Sequence, residues 1–577
     1  MGEISVRSNK MRLALSLVVV ITAVSFLPSL FNDFVNWDDR SYVVNNPEIK
    51  EISWQNIKKM FTSSYVSHYC PLVILSFAVE HHFFELNPTA YHATNYVLHL
   101  LITVLVFAFI YSISGSVTIA SVVSLLFGVH PLHVESVAWV TERKDLLYAV
   151  LYMPALLFYQ RYIRTKTAKD LGLCALFVVL SLFSKASAIS LPFVFLLLDY
   201  YYGRKIRKDV LLEKLPFLGL AVVFAAVNLK LSTSTGAATV ILGHETRVYL
   251  LSKAPLFYIA KLFFPVNLSA LYPYHLASKE DLLVMPAFII LQVVLFACII
   301  VSGRRTKKII FGSAFFMITI LPILQLVPVG TVYVADRYAY IPSIGIFFIL
   351  GAGFAWLLRS DLYARFKAMR FAIAFLSALL VGTLSVMTWN RCKVWKNTGT
   401  LFQDVIKQYP NNRLSYLKVA NFSTERGDLD EAEKYYKKAL DLKDELELVS
   451  SGCTLTGVIR DKYEKLLEQK KFLGVLDLSG AEEEASIDSF GLEDAKRYNE
   501  RGRASGVAGN LDEALRLFRE AEKAYPDYAE TYNNIGYVYF LKNEYEAAEK
   551  SFKKAIEIDP GHEKARYNLE FMRKKFE

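Results

Sequence analysis

Eleven apolar stretches punctuate the first 400 residues, at 11–30, 91–111, 117–134, 145–163, 170–187, 188–202, 215–231, 284–302, 309–327, 341–358 and 370–389. Most approach the ~20 residues that an α-helix needs to cross the hydrocarbon core. The pair flanking Lys185 is short. A basic prelude at Lys10 and Arg12 gives the first stretch the outline of a signal peptide. No small-residue cleavage site follows it, so it reads as an uncleaved first helix. Beyond Thr400 the pattern changes. Apolar residues now recur at helical spacing on a polar background, as in soluble helices.

Repeats organise that second part. Ala514 and Ala548 lie 34 residues apart, as do Pro526 and Pro560, and Pro410 precedes Ala432 by the same 22 residues that separate Pro526 from Ala548. A 34-residue period, with small residues where two helices touch and proline closing the second, reads as tetratricopeptide repeats. Residues 441–495 fit poorly and read as a degenerate repeat or an insertion. The helix 563–576 is charged enough to cap the array. The expected architecture is all-α: a polytopic transmembrane bundle of about eleven spans over 1–390, then an α-solenoid over 391–577.

Charge sharpens the division. Residues 401–577 carry 29 Lys+Arg against 35 Asp+Glu, whereas the first 400 carry 36 against 20. The basic excess lies between apolar runs, where it reports membrane orientation and not nucleic-acid binding. Clusters at Arg161–Lys169, Arg204–Lys208, Arg304–Lys308 and Arg359–Arg370 all face the cytoplasm if the N-terminus is inside and eleven spans cross. The apolar stretch 248–264 must then be re-entrant or interfacial. An odd number of spans leaves the repeats outside the cytoplasm, together with the loop 31–90, in which 54–60 and 71–84 read as surface-lying helices. Five scattered cysteines without CxxC spacing exclude a disulfide framework or thiolate metal site.

Chemistry concentrates at the expected outer ends of spans. Asp38 and Asp39 follow the first span. Adjacent carboxylates there can act as a general base, hold a metal, or cap the next helix. His130, His133 and Glu135 lie at the outer end of the third span, as metal ligands or as members of a hydrogen-bonded loop. Arg143 and Lys144 can grip a phosphate or snorkel to head groups. Lys185 sits at the turn between two apolar spans with no acid nearby in sequence. Ionisable groups at such positions are functional candidates. Arg337 either approaches the same cavity or pairs with Asp336.

The ordered set resembles one family. Asp-Asp after the first span, His-Pro-Leu-His-Val-Glu-Ser at 130–136, Ser-Lys at 184–185, Asp-Arg-Tyr at 336–338 and the C-terminal repeats are similar to the TMTC proteins. Those are transmembrane and tetratricopeptide-repeat O-mannosyltransferases. The resemblance implies a GT-C glycosyltransferase that takes sugar, mannose in eukaryotic members, from a polyprenyl-phosphate donor on the non-cytoplasmic side. It also implies Asp38 or Asp39 as base, Glu135 as a second acidic group, and Arg143, Lys144, Lys185 and Arg337 as donor-phosphate contacts. Relatives often carry Glu directly after the lysine, where Ala186 stands here. The short repeat array reads as prokaryotic, which would place the chain in a plasma or inner membrane. The expected partners are the lipid donor, surrounding membrane lipid, and an acceptor protein or peptide held by the repeats through Ser/Thr. No cofactor is certain from the sequence, and a divalent metal stays open. Two other readings remain: a non-catalytic membrane scaffold and a transporter of lipid-linked saccharide.

Overall fold

The computed structural model describes all residues except 1, 67, 206, 235–243, 275–276, 325–331, 443–448, 451–452, 478–488, 508–509 and 577. The chain divides into two compact units. One comprises Met1–Ser415 with Lys443–Leu455, and the other Tyr416–Leu442 with Thr456–Glu577. The first unit therefore extends past residue 390 and takes in the helix Thr398–Gln408.

The described residues of all eleven apolar stretches fall largely on helices. Five helical segments are long and apolar enough to cross a membrane: Asn9–Phe31, Pro88–Ser114, Lys208–Leu231, Lys279–Gly303 and Lys367–Val394. A bent pair, Val117–Val129 with Pro131–Ala138, makes a sixth. Other stretches form shorter apolar helices, among them Ala186–Tyr201 and Ser343–Leu357. The stretch 248–264 lies in the helix His244–Phe263.

Local chemistry sets the boundaries that matter for the site. Asn87 caps the helix Pro88–Ser114 through the Thr89 N–H, and Pro88 fills a first-turn position where no donor is needed. Gly115 ends it at φ +64°, a left-handed conformation that glycine adopts without a Cβ penalty. The next helix stops at Val129 because the residue before a proline is pushed out of the α region. His130 accordingly takes φ −76°, ψ 130°, and the chain bends by 55° into Val134–Ala138. The freed carbonyls at this break are satisfied. Phe127 O accepts from His133 Nδ1 at 2.7 Å and Val129 O from Thr388 Oγ1 at 2.7 Å.

The first loop packs as its own layer. Tyr42, Ile49, Met60, Val73, Phe77 and Tyr91 form one buried cluster, to which the helices Trp54–Thr62 and Pro71–Phe84 contribute. Asp33 N and Asn36 N donate to Lys396 O (2.8 Å) and Thr398 Oγ1 (2.7 Å), tying this loop to the end of Lys367–Val394 and the start of Thr398–Gln408. A two-stranded ladder, Tyr272–Pro273 against Val332–Val334, supports the turn Asp336–Ala339.

The second unit is a helical array. Leu511–Ala524, Ala529–Leu541 and Tyr545–Ile558 follow the 34-residue period, with Ala514 and Ala548 fully buried. At Gly536 a Cβ would lie 2.7 Å from the Phe552 ring, and only glycine permits that approach. Gly502 and Phe518 repeat the same contact 34 residues earlier. The expected degenerate segment 441–495 lies partly outside the described residues.

Candidate functional site

Glu142 is the hub of a buried charge cluster in the first unit. It sits in the turn Val140–Glu142, just before the helix Arg143–Thr165, so its side chain meets groups from several elements. Its Oε1 lies 3.4 Å from Lys144 Nζ and 3.5 Å from Arg337 Nε, and its Oε2 lies 3.4 Å from Lys185 Nζ. Burial alone would push its carboxyl up, but Lys144, Lys185 and Arg337 together hold it well below the usual carboxylate range.

Three further carboxylates complete the cluster. Asp145 binds Lys185 Nζ at 2.6 Å and accepts from Ser136 Oγ at 3.1 Å. Glu135 receives both the backbone N–H of Arg337, at 2.9 Å, and its guanidinium. Asp38 lies 3.9 Å from Lys144 Nζ, and that ammonium rests 4.7 Å from the centre of the Tyr42 ring. Accessibility distinguishes the members. The side chains of Asp38, Lys185 and Arg337 are 18%, 14% and 13% exposed, while those of Lys144 and Glu142 are each 3% exposed. The first three are the more exposed members of the cluster.

The two aspartates of the first loop divide their roles. Asp39 is buried, and its carboxylate is spent on the fold: Oδ2 accepts from Val35 N at 2.9 Å, and Oδ1 from the N–H (3.1 Å) and hydroxyl of Thr141. Burial outweighs these bonds and pushes its carboxyl up to about 6. Asp38 is the partly exposed member beside Lys144.

Several expected contacts point elsewhere. Arg143 faces away from its neighbour Lys144. Its Nε donates to Asn95 at 2.8 Å, one terminal nitrogen binds Glu80, the other donates to Tyr91 O at 2.8 Å, and the guanidinium lies over the Phe77 ring. The fold thus uses Arg143 to lock the first loop onto Pro88–Ser114, away from the Glu142 cluster. His130, His133 and Glu135 do not form a ligand set. His130 Nε2 meets Leu262 O at 3.1 Å, His133 Nε2 meets Ser343 Oγ at 3.2 Å, and Glu135 is committed to Arg337. Among the described residues no three His, Cys, Asp or Glu side chains are grouped to hold a metal ion. Arg337 does not pair with Asp336, whose carboxylate instead accepts from Tyr272 OH at 2.7 Å. Burial, reinforced by Glu135, pushes Asp336 up to about 7.

Lys185 has acids after all. The segment after it supplies none, since Ala186 follows, and Glu142 and Asp145 arrive from some forty residues upstream. The cations are therefore not a bare positive cluster. Glu142, Asp145 and Glu80 carry these pairings without having been singled out. The run Glu142-Arg143-Lys144-Asp145 was a signal, because four successive charges at the edge of an apolar helix must find partners.

The chain resembles known proteins along most of its length. Models of the tetratricopeptide repeat match residues 529–562 and 415–445. The human protein O-mannosyl-transferase TMTC3 is 23% identical, over 96% of this chain and 65% of its own length. A Caenorhabditis elegans protein O-mannosyl-transferase is 26% identical over 74% of this chain and 62% of its own. The chain is homologous to the TMTC proteins. It spans under two thirds of the length of either relative. Mouse TMTC1 reaches 36% identity, but over 23% of this chain and 15% of that protein. Among solved structures, an Archaeoglobus fulgidus oligosaccharyltransferase tethered to an acceptor peptide aligns with a TM-score of 0.36 and 14% identity, covering 77% of this chain and 60% of that one.

Proposed function

We propose that this protein is an integral-membrane glycosyltransferase of the inverting, GT-C kind. It moves a sugar, mannose first among candidates, from a polyprenyl-phosphate donor to a hydroxyl, with protein Ser/Thr as acceptor. The observation that carries the reading is a partly exposed carboxylate, Asp38, in a charge cluster whose partly exposed cations are Lys185 and Arg337. The names of the TMTC relatives support the same chemistry.

In this reading Asp38 takes the proton from the acceptor hydroxyl as that oxygen attacks the anomeric carbon. The bond from that carbon to the phosphate oxygen breaks, and Lys185, Arg337 and, behind them, Lys144 stabilise the departing phosphate. Asp39 positions Asp38 by fixing the first loop to Thr141. Glu135 and Glu142 orient the cations. An aromatic group beside Lys185, formed by Phe61, Tyr69, Phe183 and Phe224, offers an apolar wall for the first isoprene units.

The site faces the extracytoplasmic side, and the domain 391–577 lies there to hold acceptor protein. This orientation puts all four basic clusters inside. A cysteine introduced at Asn510 is expected to react with a membrane-impermeant reagent in intact cells, and labelling only after permeabilisation overturns the orientation. For the activity, purified protein is incubated with labelled polyprenyl-phosphate mannose and an acceptor peptide. Release of polyprenyl phosphate is expected, and an intact donor under all conditions ends the proposal.

A further inference from the structure

A general base works only where its carboxylate meets the incoming hydroxyl, and a misplacement of about 1 Å can cost ~10²-fold in rate. An aspartate carboxylate is one carbon from the backbone, so a shift of the loop carries the base with it. Asp39 secures the chain after Asp38, through Thr141. The chain before Asp38 is secured by a helix far away in sequence.

That helix is Thr398–Gln408, which opens on a capping box between Asn397 and Thr400. Thr398 and Phe402 are four residues apart and share one face, and both are buried. Thr398 Oγ1 accepts from the Asn36 N–H at 2.7 Å, and the Phe402 ring lies 5.4 Å from the Trp37 ring. The two residues immediately before Asp38 are thus seated on this face. The turn before them is tied to the same stretch of chain. Asp33 N donates to Lys396 O at 2.8 Å, and Asn32 Nδ2 to Cys392 O at 3.2 Å.

Trp37 extends the link to a cation. Its half-buried ring lies 5.0 Å from that of Trp139, which stacks on Trp395 at 5.6 Å, both within the range of favourable aromatic contact. The Arg337 guanidinium stands 5.4 Å from the Trp139 ring. A second face of the helix supports the turn that carries Arg337. Gln408 Nε2 donates to Leu268 O at 2.6 Å, and Tyr409, just past the helix, packs 6.2 Å from the Tyr272 ring. Tyr272 OH in turn donates to Asp336, the residue before Arg337, at 2.7 Å. One helix therefore braces both the loop with the carboxylate and the turn with the guanidinium.

We propose that Thr398 and Phe402 are positioning residues for sugar transfer, which act through Asn36 and Trp37 to hold Asp38 in register with Arg337. This rests on the assignment of Asp38 as base made above. Neither residue meets the reacting atoms, and no bond forms or breaks at them. Their loss acts by letting the segment 33–38 shift. The helix Thr398–Gln408 serves the site of the first unit, to which it belongs, and not the repeat array.

The test uses the full chain in nanodiscs, with labelled polyprenyl-phosphate mannose and a Ser/Thr-containing acceptor peptide. Turnover is expressed per donor-binding site, counted by titration with the donor, so that unfolded protein does not enter. Thr398→Val removes the acceptor for Asn36 at nearly constant volume, and Phe402→Leu removes the ring against Trp37. Each is made alone and together with Asp38→Asn, whose residual transfer is followed over hours. Both single variants are expected to lower kcat by roughly tenfold or more, with the donor KM within about twofold of wild type. Thr398→Ser, which keeps the hydroxyl, restores kcat. Neither variant lowers the residual rate of Asp38→Asn further, because residues that act through one group are not additive with its loss. Unchanged kcat per site in both single variants overturns the inference. So does an equal fold-loss with and without Asp38, which would mark a general structural role. Near wild-type turnover of Asp38→Asn alone instead overturns the base assignment itself.

Discussion

At the carboxyl-terminal end of the helix Arg143–Thr165, Asp199 and Lys214 form a fully buried pair at 2.7 Å, and Arg204 binds Glu213 at 2.6 Å. Tyr159 and Tyr162 donate their hydroxyls to Asp199 and Glu213 at 2.7 and 3.0 Å. About 24–29 Å along the helix from Tyr159 and Tyr162, at 1.5 Å per residue, the amino-terminal end carries the Glu142 cluster. The chemistry of the two clusters is nearly the same, but their completion differs. The far cluster balances two acids with two bases, of which Asp199 and Lys214 are fully buried and Arg204 and Glu213 partly exposed. The near one carries an excess carboxylate and leaves Asp38, Lys185 and Arg337 partly exposed. A balanced network fixes helix ends. An unbalanced one is a place for a charged ligand.

The largest effect that tests this contrast is on turnover. Asp38→Asn is expected to slow sugar transfer by ~10²–10⁴, the usual range for loss of a general base, with the melting temperature unchanged. Near wild-type turnover in this variant would remove the base from Asp38. Asp199→Asn is expected to do the reverse. It leaves Lys214 buried beside an uncharged partner and costs about 3–5 kcal/mol of stability, while the protein that remains folded keeps its turnover. A thermal melt alongside a turnover assay reads both, and a loss of specific activity at Asp199 would erase the distinction between the two ends.

Adjacent residues sharpen it. Arg143→Met is expected to destabilise by about 3–5 kcal/mol, because Glu80 is left as a buried, unpaired charge. Lys144→Met is expected to raise the donor KM by about one order of magnitude, in line with the roughly 1.5–3 kcal/mol of a hydrogen bond to a charged group. Equal stability losses with no change in KM would place both residues in the scaffold.

The smallest expected effect concerns Asp39. Its folded carboxyl, near 6, lies above the ordinary value near 4, so folding favours the protonated form. That contribution is complete at acid pH and is lost as pH rises from about 4 to about 6. Stability curves of wild type and Asp39→Asn should therefore converge or cross over that interval, and parallel curves would show that Asp39 does not titrate there.

Residue order alone determined the helical class, the positions of the apolar helices and the 34-residue repeat. Those features depend on patterns within one turn or one repeat, so Ala514, Ala548 and the proline before His133 disclose them locally. It also disclosed the ends of spans at which charged residues gather. Tertiary structure decided which charges meet. Arg143 and Lys144 are neighbours in sequence, yet on a helix successive side chains diverge by about 100°, and one locks a loop while the other joins the Glu142 cluster. Lys185 has no acid within reach along the chain and finds two from another turn. Ion pairing is set by distances of a few ångströms in space, and residues forty to two hundred positions apart cannot be matched by any periodicity.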